Sequence, residues 1–488
     1  MIIIGVYPDQ IYSNQHTLKV LKNELSNKIP ESIVLHLLPF QKSCGDGGYA
    51  ISDWYEVEET FGDWSDIKEI AKGRRLMVDG VFNHIGIRHK RVKDFCENPR
   101  RYKEWFYINL EKTLNSPRGQ EADRNIWTVE GNMKIRQTHM EQTVDINLEN
   151  LEVQEEINQY LGFLKEKGIW GIRLDAVAYY KKGEFIRHND GAEALANKIA
   201  DMVKNSGFYA VAQLDCDEQG RAYFSDSQYR DVAIYDFSYS AYLCEAIISE
   251  KTDVLSRYLM QTSLEKRILI RAPRTHDGIL LKSGNLTEEC KIQVINFANK
   301  HGIAVRNANG SIYELNCSLP YLFNIIYPKD VHKLVRMTIA FTGILNSIPY
   351  YYFPYMEGYI PEQRVSCDYI PERFDKKDLR TINRLPVPIE FVYNHPAQKE
   401  LKSLLDVLAE IHCNIEKEMV WGEAKFESFD SCIKVSVANE KIIGYFNFSS
   451  RQQKINMHVL KDYHVVIKST VDENFGAYDF IIYIKNTH

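Results

Sequence analysis

Residues 168–175 read GIWGIRLD, a short apolar run interrupted by Arg173 and ended by Asp175. A strand buried on both faces has no default reason to carry that pair. Seven further β-rich runs lie at 2–6, 33–38, 76–82, 209–214, 232–237, 268–272 and 348–352, separated by stretches of helical period. Eight strands alternating with amphipathic segments predict an α/β chain, closed into a parallel (β/α)8 TIM barrel.

Two spacings are too long for simple connections. The stretch from Asn83 to Trp170 predicts an inserted subdomain after strand 3, and that from Asp277 to Ile348 a second insertion after strand 7. From about Val420 the pattern alternates, as in CIKVSVANEKIIGYFNFSS, and predicts a C-terminal antiparallel β domain. The resulting division is barrel at 1–84, inserted subdomain B at 85–150, barrel at 151–278 and second insertion at 279–330. The barrel then ends at 331–415, and the β domain follows at 416–488.

Four of the runs end in polar residues: LMVDGVFNH at 76–84, GIRLDA at 171–176, AVAQLD at 210–215 and THDG at 275–278. The C-terminal strand ends of such a barrel open on one mouth, so four distant segments are expected to meet around one pocket. Arg173 and Asp175, two apart, share a side of their strand. A guanidinium there is expected to lower the carboxyl pKa and keep it ionised, as a nucleophile requires. Taken singly, the pair reads equally as a buried ion pair, and His84 as a hydrogen-bonded core histidine.

The 488 residues are 44% apolar and 26% charged, which excludes a disordered or fibrous chain. A net charge of −6 gives no basic excess for nucleic acid. No run reaches the length of a membrane span, and MIIIGVYPDQ reads as a first strand rather than a signal peptide. Nine scattered cysteines without a CxxC pair read as thiols in a reducing compartment, and the expected location is cytoplasmic.

Together the motifs resemble the alpha-amylase superfamily, and within it the sucrose phosphorylase branch. DGVFNH is similar to that superfamily's first conserved region, GIRLDAVAY to its second and RTHDG to its fourth. HLLPF, CGDGGYAISDW, FGDWSDIKEIAKGRRLMVDGVFNHI, YDFSYSAYLCEAI, YELNCS and LRTINR follow the order of the branch. The likeness covers roughly residues 1–390 and weakens over 111–141 and the C-terminal domain. It implies retaining transfer of an α-glucosyl group by double displacement between a small α-glucoside and phosphate or another acceptor. Position by position, Asp175 matches the nucleophile, Asp277 the carboxylate that stabilises the transition state, and Arg173 the residue that orients the nucleophile. His84 and His276 match donors to glucose hydroxyls, Asp46 and Arg384 the far side of the glucose pocket, and Tyr49 and Tyr179 its aromatic walls. No cofactor and no metal are implied.

One departure is large. The family places a glutamate acid/base at the fifth strand end, where this chain has Gln213. An amide can hydrogen-bond but cannot exchange a proton at useful pH. Asp215, Asp217 and Glu218 follow, with Asp215 on the same side of the strand but one step too far along. Three accounts stay open: an inactivating Glu-to-Gln change, favoured because every other matched residue is intact; a donor such as a sugar phosphate, whose leaving group needs little protonation; or a catalytically silent sugar-binding homologue. A hydrolase or transglucosidase of the same fold is the alternative to a phosphorylase. Candidate phosphate contacts are Arg118, Arg124, Arg136, Arg373 and Arg380, each of which alone reads as a solvated surface arginine. The branch also includes acceptors such as phosphorylated fructose, glycerate and glycerol, read by the loop expected at 358–380.

Overall fold

The computed structural model describes residues 1–12, 17–117, 120–265, 267–281, 286–308, 311–361, 373–374, 378–393, 397–454, 461–469 and 475–486. Eight parallel strands close into a barrel: β1 (Ile3–Val6), β2 (Val34–Leu37), β3 (Leu76–Gly80), β4 (Gly171–Leu174), β5 (Tyr209–Asp215), β6 (Ala233–Tyr235), β7 (Leu269–Arg271) and β8 (Ile348–Tyr352). Each pairs with its neighbours in chain order, and β1 closes on β8. Each predicted run holds one strand. The 168–174 run starts later than expected because Gly168, at φ +85°, still belongs to the turn after the preceding helix.

Covering by helices buries β1, β2 and β3 along their full length, which is why they read as nearly continuous apolar runs. Inside the barrel pack Ile3, Val34, Met77, Val211, Ile270 and Tyr350. Tyr350 crosses so close to β1 that a Cβ at Gly5 would lie 1.8 Å from its hydroxyl. The outer helices supply the second half of the core. Leu151–Glu166, for example, is capped by the Asn150 side chain and turns Val153, Ile157, Leu161 and Leu164 inward.

The insertion after β3 contains the antiparallel pair His84–Gly86 with Thr143–Asp145 and the hairpin Asp123–Thr128 with Gly131–Arg136. The insertion after β7 is a three-stranded sheet of Ile279–Leu280, Ser311–Asn316 and Ala304–Ala308, joined by the helix Glu288–Lys300. Five antiparallel strands form the C-terminal sheet, in the order Lys425–Phe429, Cys432–Val437, Ile442–Asn447, Phe480–Lys485, Tyr463–Lys468. It docks on the barrel helix Val331–Gly343, where Phe341 meets Phe446 and Phe448 edge-on. Among the described residues, no helix is long and apolar enough to cross a membrane, and eight cysteines carry free thiols. Most of the 358–380 loop, and Arg118, lie outside the described residues.

Candidate active site

Register builds the floor of the site. β3 pairs with β4 so that Asp79 lies beside Arg173, and β4 with β5 so that Leu174 lies beside Ala212. Arg173 Nη1 bonds both Asp79 Oδ1 and, at 3.1 Å, Asp175 Oδ1. Asp79 is held in turn by His36 Nε2 at 3.1 Å, and His36 Nδ1 by the Tyr350 hydroxyl at 3.2 Å. A buried polar chain thus runs from the barrel centre to Asp175.

Above it, one cavity is lined by Asp46, Tyr49, His84, Asp175, Tyr179, Gln213, His276, Asp277 and Arg384. These are all the residues matched to the site from the sequence except Arg173, which lies directly below. Asp175 and Asp277 therefore face the same space. Burial pushes the Asp175 carboxyl up to about 7, against Arg173 and with the charges of Asp79 and Asp277 adding to the rise. This reverses the expected lowering: Arg173 is shared between two carboxylates, so its pull on Asp175 does not offset the lost hydration. Asp277 goes the other way. Burial opposes its ionisation, but His276, Arg384 and Arg380 hold its pKa well below the usual range. Burial also lowers His276 to about 3, so at ordinary pH the imidazole is neutral and the two guanidiniums carry the effect. Arg384 Nη2 is 2.7 Å and Arg380 Nη1 3.0 Å from Asp277 Oδ1.

The remaining groups are placed by local geometry. Residues 45–48 all have positive φ, at 150°, 51°, 65° and 103°, a turn that two flanking glycines and Gly48 permit and that presents Asp46 to the cavity. Tyr49 stacks on His276 at 5.6 Å and meets its Nε2 through the hydroxyl at 3.0 Å. His84, which burial lowers to about 4, is neutral, and its Nε2 donates to the Tyr49 carbonyl at 3.1 Å. The donor expected from His84 is thus already engaged by backbone. On the other wall, the Tyr179 ring packs edge-on to His139 at 5.1 Å.

Gln213 sits where β5 bulges: pairing with β6 shifts between Ala212 and Asp215. The bulge breaks simple alternation, and Asp215 also lines the cavity. Gln213 Oε1 accepts from the N–H of Ala176, at 2.7 Å. Ala176 follows Asp175 and is itself left-handed, at φ +48°. One end of the amide is therefore fixed beside Asp175, and the other is left for the cavity.

Known proteins resemble this chain in sequence and fold. Residues 32–264 match the family model described as alpha amylase, catalytic domain. Sucrose phosphorylase of Streptococcus mutans is 26% identical over 93% of this chain and 93% of its own. Glucosylglycerol phosphorylase of Marinobacter adhaerens is 26% identical over 82% of this chain and 85% of its own. The crystal structure of sucrose 6F-phosphate phosphorylase from Thermoanaerobacter thermosaccharolyticum superimposes with a TM-score of 0.76 at 18% identity, covering 91% of this chain and 93% of that one. The chain thus resembles the alpha-amylase superfamily. Its likeness within that superfamily is to the sucrose phosphorylase-like branch.

Several residues of this barrel escape a reading of the sequence. Asp79 and His36 are two of them, although an aspartate within LMVDG and a histidine within VLHL are visible breaks in apolar strands. Arg380 is no surface arginine: it lines the cavity and pairs with Asp46 at 2.8 Å and Asp378 at 2.6 Å. Arg136 is 1% exposed but bound to Asp123, and Arg373 is bound to Asp9, so neither serves the cavity. Arg124 is tied to the Glu141 carbonyl. Arg306 and Glu314, from the second insertion, line the cavity as an ion pair. Arg187 lines it too, half-buried and with no hydrogen bond or ion pair to a described residue, and nothing in its flanking sequence signals this.

Proposed function

We propose that the chain is a retaining α-glucosyl phosphorylase scaffold of the sucrose phosphorylase type, with Gln213 in place of the acid/base. The observation that carries this reading is the convergence of Asp175 and Asp277 on one cavity, with Arg173 bonded to Asp175 from beneath. Asp175 attacks the anomeric carbon of an α-glucoside, the bond to the leaving oxygen breaks, and a glucosyl ester forms. Asp277, held ionised by Arg380 and Arg384, faces the positive charge that develops on the ring. Phosphate oxygen then attacks the same carbon, displaces the Asp175 oxygen, and yields α-glucose 1-phosphate with the configuration retained.

The first step needs a proton on the departing oxygen, and Gln213 has none to give. The amide nevertheless keeps the shape of the position, because Oε1 accepts from Ala176 as one oxygen of a glutamate would. The second oxygen of a glutamate there would remain for the proton transfer. Phosphorolysis over hydrolysis is supported by Arg187, a guanidinium in the cavity without an acidic partner among the described residues, suited to an oxyanion acceptor.

The test is to assay Q213E on a panel of α-glucosides with and without phosphate. The expected result is cleavage that requires phosphate and releases α-glucose 1-phosphate. Glucose release indifferent to phosphate would make the enzyme a hydrolase or transglucosidase. Sugar binding without turnover, in Q213E as in the Gln213 chain, would make it a binding protein.

A further inference from the structure

Behind the segment that carries Asp277 lies a second, much smaller cavity, with room for about one water-sized particle. Arg274, Asn383, Tyr352 and Ser318 line it. Arg274 is 2% exposed, and none of its three guanidinium nitrogens has a hydrogen-bond partner among the described residues. Both polar atoms of the Asn383 amide and the Tyr352 hydroxyl are likewise buried and unpartnered. Ser318 accepts from the Tyr321 N–H, which leaves its own hydroxyl proton to donate. The lining is therefore rich in donors around a fixed positive charge.

Among the described residues, none neutralises that charge. Burial opposes the charged form of Arg274, and the groups that favour it are Cys317, Glu314, Cys244 and Asp277. Burial raises both thiols, Cys317 to about 11, so they are neutral. Glu314 accepts from the Gly278 N–H at 2.7 Å and pairs with Arg306, while Asp277 is bound by Arg380 and Arg384. A guanidinium cannot shed its proton under these conditions, and a buried unpaired charge is costly.

We infer that this cavity binds a small monovalent inorganic anion of halide size, held by Arg274, Asn383 Nδ2 and the Tyr352 hydroxyl. The space excludes a tetrahedral oxyanion, and the donors match a spherical acceptor. Arg274 lies three residues before Asp277, and Asn383 is next to Arg384. The anion therefore braces the two segments that present Asp277 and its arginine partner. The inference does not depend on which reaction the larger cavity performs.

The experiment compares the melting temperature of the full chain in sodium chloride and in sodium gluconate at equal ionic strength. It is joined to the anomalous map of a bromide-soaked crystal. Expected are a saturable rise of about a few degrees in chloride and a bromide peak between Arg274 and Asn383. R274M should lose the chloride response. Y352F, which removes only a hydroxyl, should weaken the chloride midpoint several-fold and keeps the test decisive if R274M fails to fold. Equal melting in both salts overturns the inference, and a bromide peak without a melting shift marks an adventitious ion only and overturns it too. A chloride response retained undiminished in R274M or Y352F places the ion elsewhere and is equally fatal to the inference.

Discussion

In the proposed reaction Gln213 and Asp175 divide the chemistry between them, and each makes a separate forecast. In Q213E, turnover of an α-glucoside with a poor leaving group is expected to rise by about 10²–10⁴-fold, the usual contribution of a positioned acid/base. α-Glucosyl fluoride, whose leaving group needs no proton, should react with Asp175 in the Gln213 chain as well. Mass spectrometry of the trapped glucosyl-protein checks this. For Asp175 the carboxylate must be ionised to attack, and its pKa is about 7. The rate constant for labelling by the fluoride should therefore fall about tenfold per pH unit below 7 and level off above it. Asp79 raises that pKa and shares Arg173, so D79N should move the acid limb to lower pH. In the proposed reaction Arg187 serves the second half-reaction. R187A in the Q213E background should raise the phosphate KM by about 10–100-fold, the worth of a charge-assisted hydrogen bond, with little change in glucosyl transfer from the fluoride.

Loops and strand ends decide how these residues meet. The CGDGGY turn holds Asp46 in a left-handed conformation between glycines, and its Gly47 has a φ of +65°. A Cβ at Gly47 would also lie 2.4 Å from Arg384 Nη1. G47A is therefore expected to destabilise the fold by about 1–2 kcal/mol through backbone strain. It should also raise the KM for glucosyl donors by displacing Arg384. Urea unfolding and donor titration read the two effects separately. The β5 bulge works in the same way, turning the side chain at 213 toward Ala176 where strict alternation gives only a side of the strand.

The insertion after β3 must be fixed to the barrel for His84, Tyr179 and the cavity wall to keep their places. Lys182, beyond β4, does this: its ammonium lies 3.1 Å from Asp145 Oδ2, and both side chains are almost wholly buried. Asp145 is backbone-paired with His84, so the cross-link reaches the site itself. Removing Lys182 leaves the buried Asp145 carboxylate with the Thr138 hydrogen bonds but no counter-charge, so K182M is expected to cost about 3 kcal/mol of stability. The K182M/D145N double variant should cost less than the two single changes added, as read by urea unfolding. Among the described residues no cluster of three metal-ligating side chains occurs.

The eight barrel strands, both insertions and the C-terminal sheet were legible because burial on one face, or two, imposes a pattern that survives in one dimension. So was the set around Asp175, because barrel topology sends every strand end to the same mouth wherever its residues fall in the chain. Charge balance was not legible. Arg173 beside Asp175 reads as a pKa-lowering partner until β3 brings Asp79 against the same guanidinium. Arg136, Arg187, Arg274 and Arg380 look alike in sequence. Burial and the reach of neighbouring carboxylates make the first an internal ion pair, the second an open cation, the third a buried guanidinium with no hydrogen-bond partner among the described residues and the fourth a strut of the main cavity. Those distinctions depend on distances between segments up to several hundred residues apart, and electrostatic energy depends on such distances rather than on order along the chain.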